Sequence, residues 1–171
     1  MSAVATRLFD LLDRQLLEFP QEVCIATKED NAWHAYSTAE VIDTAERLAL
    51  GLMAMGIRPG DKVAIASGNR SEWCIADQAI ARIGAINVPI YPTSSAEDYA
   101  YVLNHSGTKI FFAGDAAIYA KAEAAAASVP GLKHIYTFDR LDGLPHWTML
   151  LTADDSQRAT LEEYKSRVKY E

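Results

Sequence analysis

Apolar and polar positions change their period several times along this chain, and the clearest changes fall between residues 60 and 93. The turn pair Gly60-Asp61 opens onto Lys62-Val63-Ala64-Ile65-Ala66, a short apolar run that reads as a strand. Ser67-Gly68-Asn69-Arg70-Ser71 then interrupts it with residues that favour turns and helix caps. From Glu72 onward Trp73, Ala76, Ile80 and Ile83 recur at steps of three and four, which is helical spacing. Gly84 stops that helix, and Ala85-Ile86-Asn87-Val88-Pro89-Ile90 reads as a second buried strand, ended by Pro89 and Pro92. Strand, helix and strand within about thirty residues make a βαβ unit, with parallel strands and a right-handed crossover.

The same reading extends to both sides. Thr6 can cap a first helix with the stripe Leu8, Phe9, Leu12, Leu16 and Phe19, and Pro20 ends it. Residues 23–27 and 32–36 flank Lys28-Glu29-Asp30-Asn31 as an antiparallel hairpin. Ser37-Thr38-Ala39-Glu40 is a capping box ahead of a helix with Val41, Ala45, Leu48, Leu52 and Met55 on one face, closed by Gly56. Ser94-Ser95-Ala96-Glu97 is a second capping box, opening a helix that ends at His105-Ser106-Gly107. A strand over 109–113, an alanine-rich helix from Gly114-Asp115 to about Ser128, and a strand over 134–138 follow. Residues 141–153 read as a loop with a short helix near 147–151, and Asp155 caps a last helix carrying Leu161, Tyr164 and Val168. The alternation predicts an α/β fold: a doubly wound, mainly parallel sheet with helices on both faces and a small N-terminal hairpin, in a single domain over 1–171.

Composition narrows the function. A net charge of -7 without a basic cluster argues against nucleic acid and against anionic membranes. No stretch reads as a transmembrane segment or a signal sequence, so the cytoplasm is the expected compartment. Cys24 and Cys74 read as two reduced core thiols.

Candidate chemistry is sparse. Ser67-Gly68-Asn69-Arg70-Ser71 is the best-placed polar group, because ligands in open α/β sheets sit beyond the carboxyl ends of strands. It is read as a helix cap with an exposed Arg70 in preference to a phosphate site. Asn87-Val88-Pro89-Ile90-Tyr91-Pro92-Thr93 would hold Tyr91 and Thr93 where a pocket could open, and is read as a rigid turn. His34, His105, His134 and His146 have no metal-ligand spacing. The acidic pairs Glu29-Asp30, Glu97-Asp98, Asp154-Asp155 and Glu162-Glu163 are explained by turns, helix starts and a solvated face. No dinucleotide fingerprint, Walker loop or nucleophile elbow is present.

The order of segments nevertheless resembles the beginning of the AMP-forming acyl-CoA synthetases, the adenylate-forming ligases. The residues that carry the likeness are Thr38-Ala39-Glu40-Val41, the run Gly56-Ile57-Arg58-Pro59-Gly60-Asp61-Lys62-Val63-Ala64-Ile65, Asn69-Arg70-Ser71-Glu72-Trp73, and residues 84–93. Asn-Arg-x-Glu-Trp and Val-Pro-Ile-Tyr-Pro-Thr look most like the long-chain fatty-acid CoA ligase branch. The resemblance implies a parent enzyme that joins fatty acid, ATP and CoA through an acyl-adenylate, with Mg assisting. The family's Y-T-S-G-T-T-G-x-P-K-G phosphate loop is absent; it would follow a segment similar to residues 163–171. The chain therefore reads as the N-terminal part of a longer AMP-binding ligase domain, inactive alone. It is assigned no catalytic, cofactor-binding or metal-binding residue.

The expected partners are the remainder of the parent ligase and a second copy, paired through apolar surface that truncation exposes. The full-length enzyme could associate peripherally with a membrane. The alternative readings are a self-contained flavodoxin-like nucleotide- or flavin-binding module and a non-catalytic interaction domain.

Overall fold

The computed structural model describes residues 7–29, 31–152 and 154–169. In chain order its elements are α1 (Leu8–Glu18), β1 (Ile25–Glu29), β2 (Ala32–Tyr36), α2 (Thr38–Ala54), β3 (Lys62–Ala66) and α3 (Ser71–Ile83). Then come β4 (Ile86–Pro89), α4 (Ala96–Ser106), β5 (Ile110–Ala113), α5 (Ala116–Ala126), β6 (His134–Thr137) and α6 (Arg158–Arg167). β1 and β2 pair antiparallel as the expected hairpin, and four parallel strands form the main sheet in the order β4-β3-β5-β6.

β3 shows why its sequence is apolar throughout. Val63 and Ile65 face one layer with Leu48, Leu52, Ile75 and Ile80 of α2 and α3. Ala64 and Ala66 face the other, with Tyr99 and Leu103 of α4 and Ile118 and Ala122 of α5. A strand covered on both sides has no polar face to show. The helices on both faces are those the periodicity predicted.

Several boundaries differ from the sequence reading, each for a local reason. β1 starts two residues later than expected and runs through Glu29. The turn is thereby shortened, with Asn31 at a φ of 63°, a conformation asparagine tolerates. In α1 the cap is Arg7, whose amide donates to Asp10 at 3.0 Å; Thr6 lies outside the described residues. Phe9 is buried and Leu12 packs in part, but Leu8 and Phe19 of the expected stripe are exposed. The box at α2 forms as predicted, with Ser37 Oγ accepting from the Glu40 amide at 3.2 Å and Glu40 accepting from the Ser37 amide at 2.8 Å. The second box moves one residue, to Ser95 and Asp98, while the Ser94 carbonyl accepts from Lys121 Nζ at 2.9 Å and stays in the loop. At the C-terminal end Asp154, not Asp155, caps a 3-10 turn (Asp155–Gln157) that runs into α6.

β4 was expected to be buried and is instead an edge strand, with Ile86 49% exposed. The Ile86 and Ile90 amides donate to Asp61 and Ile65 at 2.8 and 2.9 Å, so the backbone nitrogens of Asn87 and Pro89 point away from β3. Proline has no N–H to leave unpaired there, which is why an edge accepts it. An apolar run of this length does not distinguish edge from centre. The β6 edge is covered by its own chain: the Thr137 amide donates to Pro145 at 2.8 Å where residues 145–146 return.

Two packing details matter below. A Cβ on Gly51 of α2 would lie 1.8 Å from the Leu150 carbonyl oxygen, so α2 meets the 3-10 turn Trp147–Leu150 only as glycine. Arg82 of α3 is wholly buried, bonded to Asp13 of α1 at 3.2 Å through Nη1 and 3.6 Å from Glu46 of α2. Glu46 also takes Arg158 of α6 at 2.8 Å and lies 3.5 Å from Lys165, so one carboxylate joins three helices.

Candidate functional site: a cleft at the carboxyl ends of the strands

From β3 the chain passes to β4 on one side, and the next strand, β5, lies on the other. The loops after β3 and β5 therefore diverge, which is where open α/β sheets place their ligands. An open cleft of about 900 Å³ lies there. Its walls are the β1–β2 hairpin, the β3–α3 turn, the start of α5 and the segment after β6. At its floor a Cβ on Gly114 would come within 2.7 Å of Ser67 Oγ and 2.9 Å of Ser67 Cα, so the two diverging turns touch.

Arg70 dominates one wall. Expected to be exposed, its side chain is only 13% so. Nε donates to Glu72 at 2.9 Å; Nη1 donates to Asp139 at 2.7 Å and to the Gly114 carbonyl at 3.1 Å; Nη2 donates to Glu29 at 3.0 Å. The guanidinium carbon stands 5.5 Å from the centre of the Phe138 ring. Burial pulls the Arg70 pKa down, but the bonds and charges of Glu72 and Asp139 outweigh it and the pKa is raised. Arg70 thus stays charged and fastens four segments.

The helix start beside it is also engaged. The Ser71 amide, first in α3, donates to Thr27 Oγ1 at 2.6 Å, and the Ser71 and Thr27 hydroxyls are 2.8 Å apart. A hydroxyl from the hairpin takes the position an anion would occupy at a free helix N-terminus.

His146 completes the far wall. Nε2 is 2.9 Å from the Phe138 carbonyl, and Nδ1 is 2.6 Å from the Thr148 hydroxyl and 3.4 Å from the Thr148 amide. A carbonyl only accepts and an amide N–H only donates, so the network assigns the neutral tautomer with its proton on Nε2.

Of the residues singled out in the sequence, the cleft gathers Ser67, Gly68, Asn69, Arg70, Glu29 and His146. Residues 87–93 are not part of it. Lys121 Nζ holds the Pro92 and Ser94 carbonyls at 2.9 Å each, and Tyr91 projects into solvent, 81% exposed, so the rigid-turn reading stands. His34, His105 and His134 lie on β2, α4 and β6, away from the cleft. The acidic pairs do not form dyads. Asp98 and Asp154 cap helical turns, Glu162 and Glu163 pair with Lys165 and Arg167, and Asp30 lies outside the described residues. Cys24 and Cys74 are free thiols, but neither is fully buried and Cys74 is exposed, contrary to the core reading. Thr27, Asp139 and Phe138 were missed, because their roles depend on partners tens of residues away. Among the described residues no three His, Cys, Asp or Glu side chains are grouped to hold a metal ion, and no helix is long and apolar enough to cross a membrane.

Comparison with known proteins decides the family. The family described as AMP-binding enzyme matches residues 12–168. The chain belongs to that family. Within the AMP-binding enzymes it is 39% identical over 106 residues to the long-chain-fatty-acid–CoA ligase FadD15 of Mycobacterium bovis, which is 62% of this chain and 18% of that one. The chain thus matches under a fifth of that ligase. It is also 32% identical over 108 residues to the uncharacterized protein Rv1549 of Mycobacterium tuberculosis, covering 61% of this chain and 59% of that protein. Among solved structures, MbtA of Mycobacterium smegmatis superimposes with a TM-score of 0.74 over 87% of this chain and 27% of its own, at 22% identity, a likeness of fold.

Proposed function

We propose that residues 1–171 form one α/β unit, the N-terminal part of a long-chain-fatty-acid CoA ligase, and that the unit is a platform without catalytic residues of its own. In the parent reaction a fatty carboxylate attacks the α-phosphate of ATP, releasing pyrophosphate and leaving an acyl-adenylate. The CoA thiol then displaces AMP. Mg, bound with ATP, would neutralise phosphate charge and be held by polypeptide beyond this chain. The aligned part of FadD15 supports the acyl class.

The observation that carries the platform reading is the engaged β3–α3 turn. Thr27 covers the first amide of α3, and Arg70 is surrounded by Glu29, Glu72 and Asp139. Carboxylates there repel phosphate. The test is pyrophosphate release by this polypeptide alone with ATP, Mg and palmitate. None is expected, and release above the background would overturn the reading.

One observation favours a second reading: the order β4-β3-β5-β6 is that of a flavodoxin-like sheet. A flavin module would purify yellow, with absorbance in the visible, whereas the platform reading expects colourless protein. The partner is the remainder of the ligase. Leu8, Leu11 and Leu17 of α1, with Phe19 just after it, are exposed apolar residues through which two isolated copies would pair, and light scattering that finds only monomer at high concentration rejects that pairing. The cytoplasm is the compartment this reading takes, with the full-length enzyme at most peripheral to a membrane.

A further inference from the structure

α6 brings little apolar surface to the fold. Leu161 is its one fully buried residue, Tyr164 packs in part against the same core, and past the helix end Val168 rests against Gly84. The other attachments are polar and mostly charged. Arg158 donates to Glu46 of α2 at 2.8 Å, and Lys165 Nζ lies 3.5 Å from Glu46 and 4.0 Å from Asp13 of α1. The Lys165 carbonyl accepts from Arg7, just ahead of α1. The cap residue Gln157 makes no side-chain bond to the helix, and a helix of 10 residues does not persist in water without packing. We propose that α6 is a detachable strap: charge pairs centred on Glu46 hold it to the body, and when they weaken it leaves and melts while the sheet and α1–α3 stay folded.

What remains behind can stand without α6. Arg82 keeps Asp13 and Glu46, which reach it from α1 and α2. The body keeps the rest of its core, because α6 withdraws the Leu161 side chain and only part of Tyr164. Release therefore costs far less than unfolding, as is usual for a segment with few buried apolar contacts. Salt reaches the holding pairs selectively. The Arg158 side chain is 43% exposed and those of Lys165 and Glu46 are 14% and 17% exposed, whereas Arg82 is wholly buried. Release frees residues 154–169 to change direction relative to the sheet. The inference rests on packing and charge and does not depend on which ligase the chain belongs to.

The test uses the whole chain labelled with 15N and follows amide exchange in about 0.1 M and about 1 M NaCl, between which the reach of a charge falls from about 10 Å to about 3 Å. Protection factors of the Tyr164 and Lys165 amides, inside α6, should fall about tenfold, the effect of screening two or three partly exposed pairs. Those of Ile80 and Ile83 in α3 should not change. Arg158→Gln combined with Lys165→Gln should leave α6 poorly protected even at low salt and remove its salt response, with Ile80 as in the natural chain. Arg158→Lys combined with Lys165→Arg keeps both charges and should restore the response. The proposal fails if Tyr164 and Ile80 lose protection together, if α6 is indifferent to salt, or if the variant without the two charges responds to salt as the natural chain does.

Discussion

Arg70 and Arg82 are both largely removed from water and both meet carboxylates, but they sit at opposite kinds of places. Arg82 lies among helices, fully buried, with Asp13 and Glu46 as its carboxylates and the Phe9 ring 5.5 Å from its guanidinium carbon. Its Nε finds no partner among the described residues. Arg70 lies on the wall of an open cleft and fills its hydrogen-bonding capacity with Glu72, Asp139, Glu29 and a carbonyl. The deeper arginine is the less well satisfied, so its carboxylates matter more to stability. The cleft arginine, by contrast, has each of its nitrogens hydrogen-bonded to another part of the fold.

That contrast can be tested by removing one side at a time. The largest effect is expected from Glu46→Ala, which takes a partner from buried Arg82 and also from Arg158 and Lys165; a loss of about 3–5 kcal/mol is expected in urea unfolding. Gly51→Ala should follow at about 3 kcal/mol, because the new methyl meets backbone, which cannot rotate away. Arg70→Met should cost less, about 2 kcal/mol, since the carboxylates it leaves can be hydrated from the cleft. If Arg70→Met proves costlier than Glu46→Ala, the ranking of the two sites is reversed. The smallest effect concerns pH. The depressed His146 pKa means that the unfolded chain takes up the proton first. Its contribution is therefore fully present above about pH 6.5 and lost as pH falls through the folded value. Unfolding midpoints of the natural chain and His146→Gln should diverge only below that pH.

Much of the fold was legible because local pattern and tertiary need coincide. Val63-Ala64-Ile65-Ala66 is apolar throughout because helices cover both of its faces, and Ser37 with Glu40 forms a cap whose partners are three residues apart. Legibility ended where the deciding partner is distant in sequence. Nothing near Ile86 signals that its strand lies at an edge, and nothing near Ser94 reveals that Lys121 holds it out of the helix. The cleft was half legible. Its place at the end of β3 followed from topology. The state of Arg70 did not, because Glu29 and Asp139 reach it from 41 and 69 residues away.

The central claim is that this polypeptide builds a platform and leaves the triphosphate to residues it does not contain. It is tested most directly by titrating the 15N-labelled chain with MgATP and following the amides of Gly68, Asn69, Ser71 and Gly114 around the cleft. The account predicts shifts that stay small and unsaturated, with a Kd no tighter than about 1 mM. A saturable, one-to-one response of those amides in the micromolar range would contradict it.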